Sequence, residues 1–341
     1  YSSIFDGGTG TADDPYLIST QDQLAIINDI PSYSFKLVND IEMTGTWNPI
    51  GYNGDDFSGT FDGDGYVIKN LTVNTNNNAG LFDTNNGTIK NLKVITSEDG
   101  VKSNSSHLYT GIITSRNTGT ISQCSSSGNV NGSVFAGENS GTIENCYSTA
   151  THTKDILGTK NCYDLSSKTI RLADETKSCY STLSMKVQAA YNGWDFENIW
   201  GLDANINDGY PYLLCEQLGN VTKAGAPNIF DGGDGSENNP FLISTQSQFE
   251  TVTDLLNYNF KLVSDIELSG DWSPIGFIDN NSSGSFSGTF DGDGHSINNL
   301  NISGRYLYAG LFGKNKGIIK NLLVKIKDSG SVTSTNNYSY L

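Results

Sequence analysis

The chain has 341 residues and a formal net charge of −17 at pH 7, which argues against binding to nucleic acid or to anionic membrane surfaces, because both need cationic side chains. It contains no run of about 18 apolar residues, so the sequence predicts no insertion into a membrane. The hydrophobic fraction of 36% is low for an ordinary globule and suits the thin core of a repetitive protein outside a cell.

One module occurs twice in the sequence, with an offset of 225 residues. Residues 4–8, Ile-Phe-Asp-Gly-Gly, return at 229–233, and residues 15–21 return at 240–246 with one change. A duplication in the same order indicates tandem copies of one structural unit. The sequence predicts a first module at 1–218 (cap 1–60, coils 61–165, closing segment 166–218), a linker at 219–227 and a second, incomplete copy at 228–341.

The ends of the module differ from its centre. Residues 19–27 predict a short amphipathic helix with Ser19 or Thr20 as N-cap, followed by a strand at 33–43, and the same helix recurs at 245–256. Such a helix would cover the first coil and block edge-to-edge aggregation. After the coils, residues 181–191 predict a further helix, followed by an aromatic-rich closing segment.

A shorter repeat lies inside the first module. One apolar position recurs at Leu71, Leu92, Cys124, Cys146 and Cys162. An amide precedes it each time, at Asn70, Asn91, Gln123, Asn145 and Asn161. Gly-Thr-Ile triplets begin at Gly87, Gly119 and Gly141. Short repeats rich in β-branched residues and punctuated by glycine are typical of a β-solenoid, in which stacked coils share one core.

Three further expectations follow from that stacking. The amides predict a hydrogen-bonded ladder at a corner of the solenoid. The wide spacing between Leu92 and Cys124 predicts an inserted loop at about 97–109. The cysteine column predicts buried thiols, and a disulfide between Cys162 and Cys179 is the alternative.

The chain resembles the GLUG-motif repeat family of secreted and surface adhesin-like proteins. The residues that carry this resemblance are Gly310-Leu311-Phe312-Gly313, the variant Gly80-Leu81-Phe82-Asp83, and Trp-x-Pro-Ile-Gly at 47–51 and 272–276. The resemblance implies tandem all-β modules, each a right-handed parallel β-helix with a short N-terminal capping helix. Such repeats occur in adhesin-like proteins and beside the catalytic part of some bacterial immunoglobulin A peptidases, so no catalytic residue is implied.

The sequence offers few candidates for chemistry. His-Glu-x-x-His is absent, and the three histidines, His107, His152 and His295, do not lie at metal-ligand spacing. The sharpest candidates are two Asp-Gly-Asp-Gly segments, which contain Asp62 and Asp64 in the first module and Asp291 and Asp293 in the second. We favour tight turns there. The alternatives are calcium ligands, in a chain with no other predicted cofactor, and paired carboxylates that act on a polysaccharide.

Tyrosines near turns form a second group of candidates. They are Tyr52, Tyr109, Tyr147, Tyr163 and Tyr180. We expect most of them to pack at corners or caps, and stacking on sugars is the alternative.

These observations predict a non-enzymatic extracellular surface or matrix protein, acting as an adhesin or a structural stalk. Its expected partners are other copies of itself, through an unpaired coil near 336–341, or surface glycans and host proteins. One alternative is a carbohydrate-active β-helix enzyme that uses Asp62 and Asp64. Another is a spacer domain of a larger secreted peptidase.

Overall fold

The computed structural model describes residues 3–105, 108–154, 159–160, 162–164, 183–191, 193–214, 225–279 and 282–336. The described chain forms two compact units. The first comprises the described residues of 3–164 together with 193–201 and 211–214, and the second comprises 183–191, 202–210 and the described residues of 225–336. The predicted closing segment is thus divided between the two units. His107, Cys179, Tyr180, most of the predicted linker and residues 337–341 lie outside the described residues.

The first unit consists mainly of short strands. In chain order its elements are β1 (Tyr16–Ile18), α1 (Gln21–Ile26), β2 (Ser34–Leu37), β3 (Ile41–Glu42), β4 (Thr60–Asp62), β5 (Val67–Thr75), β6 (Phe82–Asn85), β7 (Thr88–Lys90), β8 (Lys93–Ser103), β9 (Thr114–Asn117), β10 (Thr120–Ser122), β11 (Ser125–Ser127), β12 (Ala136–Asn139), β13 (Thr142–Glu144), β14 (Tyr147–Ser148), β15 (Thr159–Lys160), β16 (Tyr163–Asp164), β17 (Trp200–Gly201) and β18 (Tyr212–Leu213).

Successive strands of one coil join different parallel sheets. The orders are β1-β2-β4-β7-β10-β13-β15 in the first sheet, β3-β5-β8-β11-β14-β16 in the second and β6-β9-β12 in the third. The chain therefore winds from sheet to sheet and returns one coil further on, which is a parallel β-solenoid. The predicted fold class is confirmed.

The repeat in the sequence sets the register of the coils. Phe61 pairs with Ile89, Ile89 with Ile121, and Ile121 with Ile143, and all four side chains are buried. Their neighbours in each strand point outward, because successive side chains of a strand alternate between its two faces. One inward residue per coil thus builds a continuous apolar column.

The predicted amide position is a corner of the backbone. Asn70, Asn91, Gln123 and Asn145 have φ between 51° and 62°, a left-handed conformation that asparagine tolerates better than most residues. The amide-to-amide ladder lies at a different position from the one predicted. Asn91 donates to Asp62 on the neighbouring coil, at 2.9 Å, rather than to another amide.

The predicted insertion at 97–109 is mostly strand. Strand β8 continues to Ser103, and Val101 pairs with Val73 of β5. The extra residues therefore lengthen the second sheet instead of projecting as a loop, and 106–107 lie outside the described residues.

The capping helix begins as predicted. Thr20 is the N-cap of α1 and forms a capping box with Gln23, whose side chain returns to the N–H of Thr20. A 3₁₀ turn at Ile27–Asp29 follows, and Leu24 and Ile27 join the same buried cluster as Phe35. The predicted strand at 33–43 is two strands, β2 and β3, separated by residues 38–40.

The second unit repeats the first few coils. Its elements are β19 (Phe241–Ile243), α2 (Gln246–Glu250), β20 (Phe260–Leu262), β21 (Ile266–Glu267), β22 (Phe277–Asp279), β23 (Ser282–Ser283), β24 (Ser285–Phe286), β25 (Thr289–Asp291), β26 (Ser296–Leu300), β27 (Ile302–Gly304), β28 (Lys314–Asn315), β29 (Ile318–Lys320), β30 (Leu323–Ile326) and β31 (Val332–Ser334). The main parallel sheets have the orders β19-β20-β25-β29 and β21-β26-β30. Two 3₁₀ turns, Ser184–Lys186 and Gln188–Ala190, stand where the helix at 181–191 was predicted.

Candidate functional site

Both Asp-Gly-Asp-Gly segments are tight turns at the ends of strands. The carboxylate of Asp62 accepts a hydrogen bond from the N–H of Asp64 at 3.0 Å, and Asp64 has φ 48°. Asp291 and Asp293 repeat this geometry, with 3.0 Å and φ 50°. An aspartate that accepts from the N–H two residues later forms an Asx turn, and aspartate tolerates the left-handed conformation. The observed backbone is the turn that the sequence favoured.

The same carboxylates pair with lysines on the adjacent coils of the first unit. Lys36 Nζ lies 3.0 Å from Asp64 Oδ2, and Lys90 Nζ lies 3.2 Å from Asp62 Oδ2. The strand register aligns Lys36, Asp62 and Lys90 on three successive coils, so opposite charges alternate along the outer face. A calcium ion at this corner would have to compete with ammonium groups for the carboxylate oxygens.

The second unit repeats this network. Lys261 lies 2.9 Å from Asp293, Lys320 lies 3.2 Å from Asp291, and the Asn321 amide donates to Asp291 at 3.0 Å. A pairing that recurs in both copies holds one coil to the next, and it leaves these carboxylates occupied by partners within the protein.

Two kinds of pKa shift reflect these contacts. The hydrogen bond to Asp64 raises the pKa of Lys36 although burial acts in the opposite direction, and Asp293 raises the pKa of Lys261 in the same way. Burial acts to raise the pKa of Asp291, but the N–H of Asp293, Asn321 and Lys320 outweigh it, so this pKa is lowered. These shifts stabilise the charged forms and do not produce a carboxylic acid that could donate a proton at neutral pH.

The cysteine column lies inside the solenoid. Cys124, Cys146 and Cys162 are buried, and the N–H of Cys124 lies 3.4 Å from the sulfur of Cys146. Cys124 and Cys146 are free thiols, as the stacking pattern predicted. Burial raises the pKa of the Cys146 thiol well above its usual value, which disfavours the nucleophilic thiolate. The alternative partner, Cys179, lies outside the described residues.

The histidines and tyrosines do not converge on one site. His152 Nδ1 lies 2.9 Å from the carbonyl of Lys154, and His295 Nδ1 lies 3.3 Å from Asp265. Arg116 covers the Tyr109 ring at 5.5 Å, while Tyr147 is buried. Tyr52 is 59% exposed and is the tyrosine best placed to meet a ligand. Tyr163 and Tyr180 have no described side chain.

Sequence reasoning missed a polar groove of about 600 Å³ on the first unit. Its lining includes Asn70, Thr72, Ser97, Glu98 and Asp99, and the hydroxyls of Thr72 and Ser97 lie 2.6 Å apart. Hydroxyls, an amide and carboxylates can form hydrogen bonds with a hydroxyl-rich ligand. These residues come from adjacent strands of one sheet, so only the strand register could have brought them together in a prediction.

Two further findings concern metals and membranes. Among the described residues, no group of three or more His, Cys, Asp or Glu side chains is arranged to hold a metal ion. No helix in the described part of the chain is long and apolar enough to cross a bilayer.

Comparisons with known proteins give short similarities. No family model matches the chain. A Gly-rich membrane protein, provisionally named as such, from Evansella cellulosilytica is 39% identical over 82 residues, which is 21% of this chain and 10% of that protein. Halomucin from Haloquadratum walsbyi is 31% identical over 144 residues, which is 37% of this chain and 2% of halomucin. The chain thus spans a tenth or less of these curated relatives.

One solved structure is also similar. It is a crystal structure from Bacteroides ovatus of a protein provisionally described as an immunoglobulin A1 protease. It has a TM-score of 0.47 and 19% sequence identity, and the alignment covers 63% of this chain and 96% of that one.

Proposed function

We propose that the chain is a non-enzymatic scaffold of an extracellular or cell-surface protein, built of GLUG-type β-solenoid modules that act as an adhesin or a stalk. The observation that carries this proposal is the fate of the four candidate aspartates. Asp62, Asp64, Asp291 and Asp293 all pair with lysines at 2.9–3.2 Å and form turns. Groups that hold coils together account for their recurrence in both modules without any catalytic role.

The chemical character of the surface supports the same proposal. A net charge of −17 and a core that runs through stacked coils favour an extended, soluble surface over an enclosed reaction site. The names of the two curated relatives, a Gly-rich membrane protein and halomucin, agree with a role at or outside the cell surface. The groove at Asn70–Asp99 is the place where we propose that a surface glycan or another hydroxyl-rich partner makes contact.

The proposal is tested against its main alternative, a carbohydrate-active β-helix enzyme. The chain is incubated with a panel of acidic and neutral polysaccharides, and new reducing ends and unsaturated products are measured. We expect no cleavage above that of the Asp64→Asn variant. Cleavage by the wild type that is lost in Asp64→Asn and kept in a Lys154→Gln surface control would overturn the proposal.

A further inference from the structure

The last described coil of the second unit exposes apolar residues that its counterpart in the first unit buries. The exposed fractions are 58% for Ile318, 36% for Ile319, 53% for Leu323, 39% for Val324 and 55% for Ile326. We call residues 310–327 the basic coil. Ile89 and Val94 occupy the positions of Ile319 and Val324, 230 residues earlier, and both are 0% exposed.

Stacking explains the difference. In the first unit, Ile89 of β7 pairs with Ile121 of β10, and Val94 of β8 pairs with Ser126 of β11. In the described part of the second unit, β29 and β30 each have a neighbour on one side alone, namely β25 and β26. The open side therefore presents both apolar side chains and unpaired backbone groups, which is a surface for association.

The charge of this surface indicates its partner. The basic coil contains Lys314, Lys316, Lys320, Lys325 and Lys327, a quarter of the chain's 20 basic residues, and no acidic residue. Two such coils that met face to face would bring lysines against lysines. An acidic surface with some apolar exposure is the complement.

The first unit carries such a surface, which we call the acidic cap, at residues 3–33. Its five aspartates, Asp6, Asp13, Asp14, Asp22 and Asp29, are all exposed, and it has no basic residue. It also exposes two apolar side chains, Ile4 at 45% and Tyr33 at 43%. The corresponding residues of the second unit, Ile229 and Tyr258, are only partly exposed, so the first cap fits the basic coil better.

We propose that the basic coil of one molecule binds the acidic cap of a second copy. The contact is heterologous, because it joins two different surfaces, and repetition of such a contact builds a linear assembly. This inference goes beyond the proposed function and would hold even if the chain cleaved a polysaccharide.

The test uses sedimentation velocity of the full 341-residue chain over a range of concentrations, at low and high salt. We expect the sedimentation coefficient to rise with concentration and to rise less in high salt, since salt screens exposed charges. Lys325→Glu/Lys327→Glu should weaken association about tenfold or more, and so should Asp13→Lys/Asp14→Lys. Combining both pairs in one chain restores opposite charges and should restore association.

The controls separate this contact from nonspecific association and from misfolding. Lys154→Glu changes an exposed lysine away from both surfaces and should leave association unchanged. Circular dichroism checks that each variant is folded, which the exposure of the substituted side chains favours. A chain that stays monomeric at every concentration would overturn the proposal. Association that resists either charge reversal, or that does not return in the combined variant, would overturn it too.

Discussion

We expect Gly119→Ala to destabilise the first unit by about 3 kcal/mol or more, at the high end of overpacking effects. A Cβ at this position would lie 2.1 Å from the carbonyl oxygen of Gly87 on the adjacent coil. That oxygen also accepts the N–H of Thr120 at 2.8 Å. The coils would have to separate to admit the methyl group, and the hydrogen bond would be lost with it.

The same close approach recurs along the solenoid, which explains the repeated Gly-Thr-Ile. The Cβ of Gly87 would meet Gly59 O at 2.0 Å, and that of Gly141 would meet Gly119 O at 2.2 Å. Hydrogen exchange measured by mass spectrometry can follow each unit separately, and protection should fall in the first unit alone. The control is Gly54→Ala, where nothing lies within 4 Å and the cost is the left-handed strain of about 1–2 kcal/mol. Equal losses in the two variants would contradict the stacking argument.

We expect Asn117→Ala to cost about 2–4 kcal/mol, because it breaks a buried amide ladder. Asn85 donates to Asn117 Oδ1 at 2.8 Å, and Asn117 donates to Asn139 Oδ1 at 2.8 Å. Asn117 also lies 3.1 Å from the carbonyl of Thr142. Its removal leaves buried polar groups without these partners, and such groups cost more than the hydrogen bond itself contributed.

The second unit supplies a matched control for this substitution. Asn315 occupies the equivalent position on the basic coil, where it is exposed and bonds to Gly317 at 3.0 and 3.2 Å. Asn315→Ala should cost about 1 kcal/mol or less, since water can replace the lost bonds. Hydrogen exchange in each unit measures both. A loss for Asn117→Ala no larger than that for Asn315→Ala would show that the buried ladder contributes little.

The sequence predicted the solenoid well because its stacking leaves a period. Ile89, Ile121 and Ile143 recur since each must fill the same place in the next coil, and Thr20 with Gln23 carries a capping signal that needs no tertiary information. The amide ladder was expected at a different position from the one it occupies. Asn85 and Asn117 are separated by a coil of different length from that between Asn117 and Asn139, so their alignment emerges only once the strands are in register.

The candidate aspartates show the limit of sequence reasoning most clearly. Asp-Gly-Asp-Gly predicts a turn from local preference alone, and that part was right. The lysine partners could not be predicted, because Lys36 and Lys90 lie 28 and 26 residues from Asp64 and Asp62, numbered as in the sequence (64 − 36 and 90 − 64 or 62) and brought close only by coil stacking. The open face of the basic coil was likewise hidden, since Ile319 and Val324 repeat the pattern of the buried Ile89 and Val94.

The central claim is that the Asp-Gly-Asp-Gly corners hold coils together through lysine, without metal and without catalysis. Thermal unfolding of the wild type and of Asp62→Asn/Asp64→Asn, each with calcium and with a chelator, tests it most directly. We predict equal melting temperatures with calcium and with chelator for both proteins. We also predict a loss of about 1 kcal/mol or less per ion pair in the variant, because these pairs are partly exposed. A calcium-dependent rise in the melting temperature of the wild type that is absent in the variant would contradict the account.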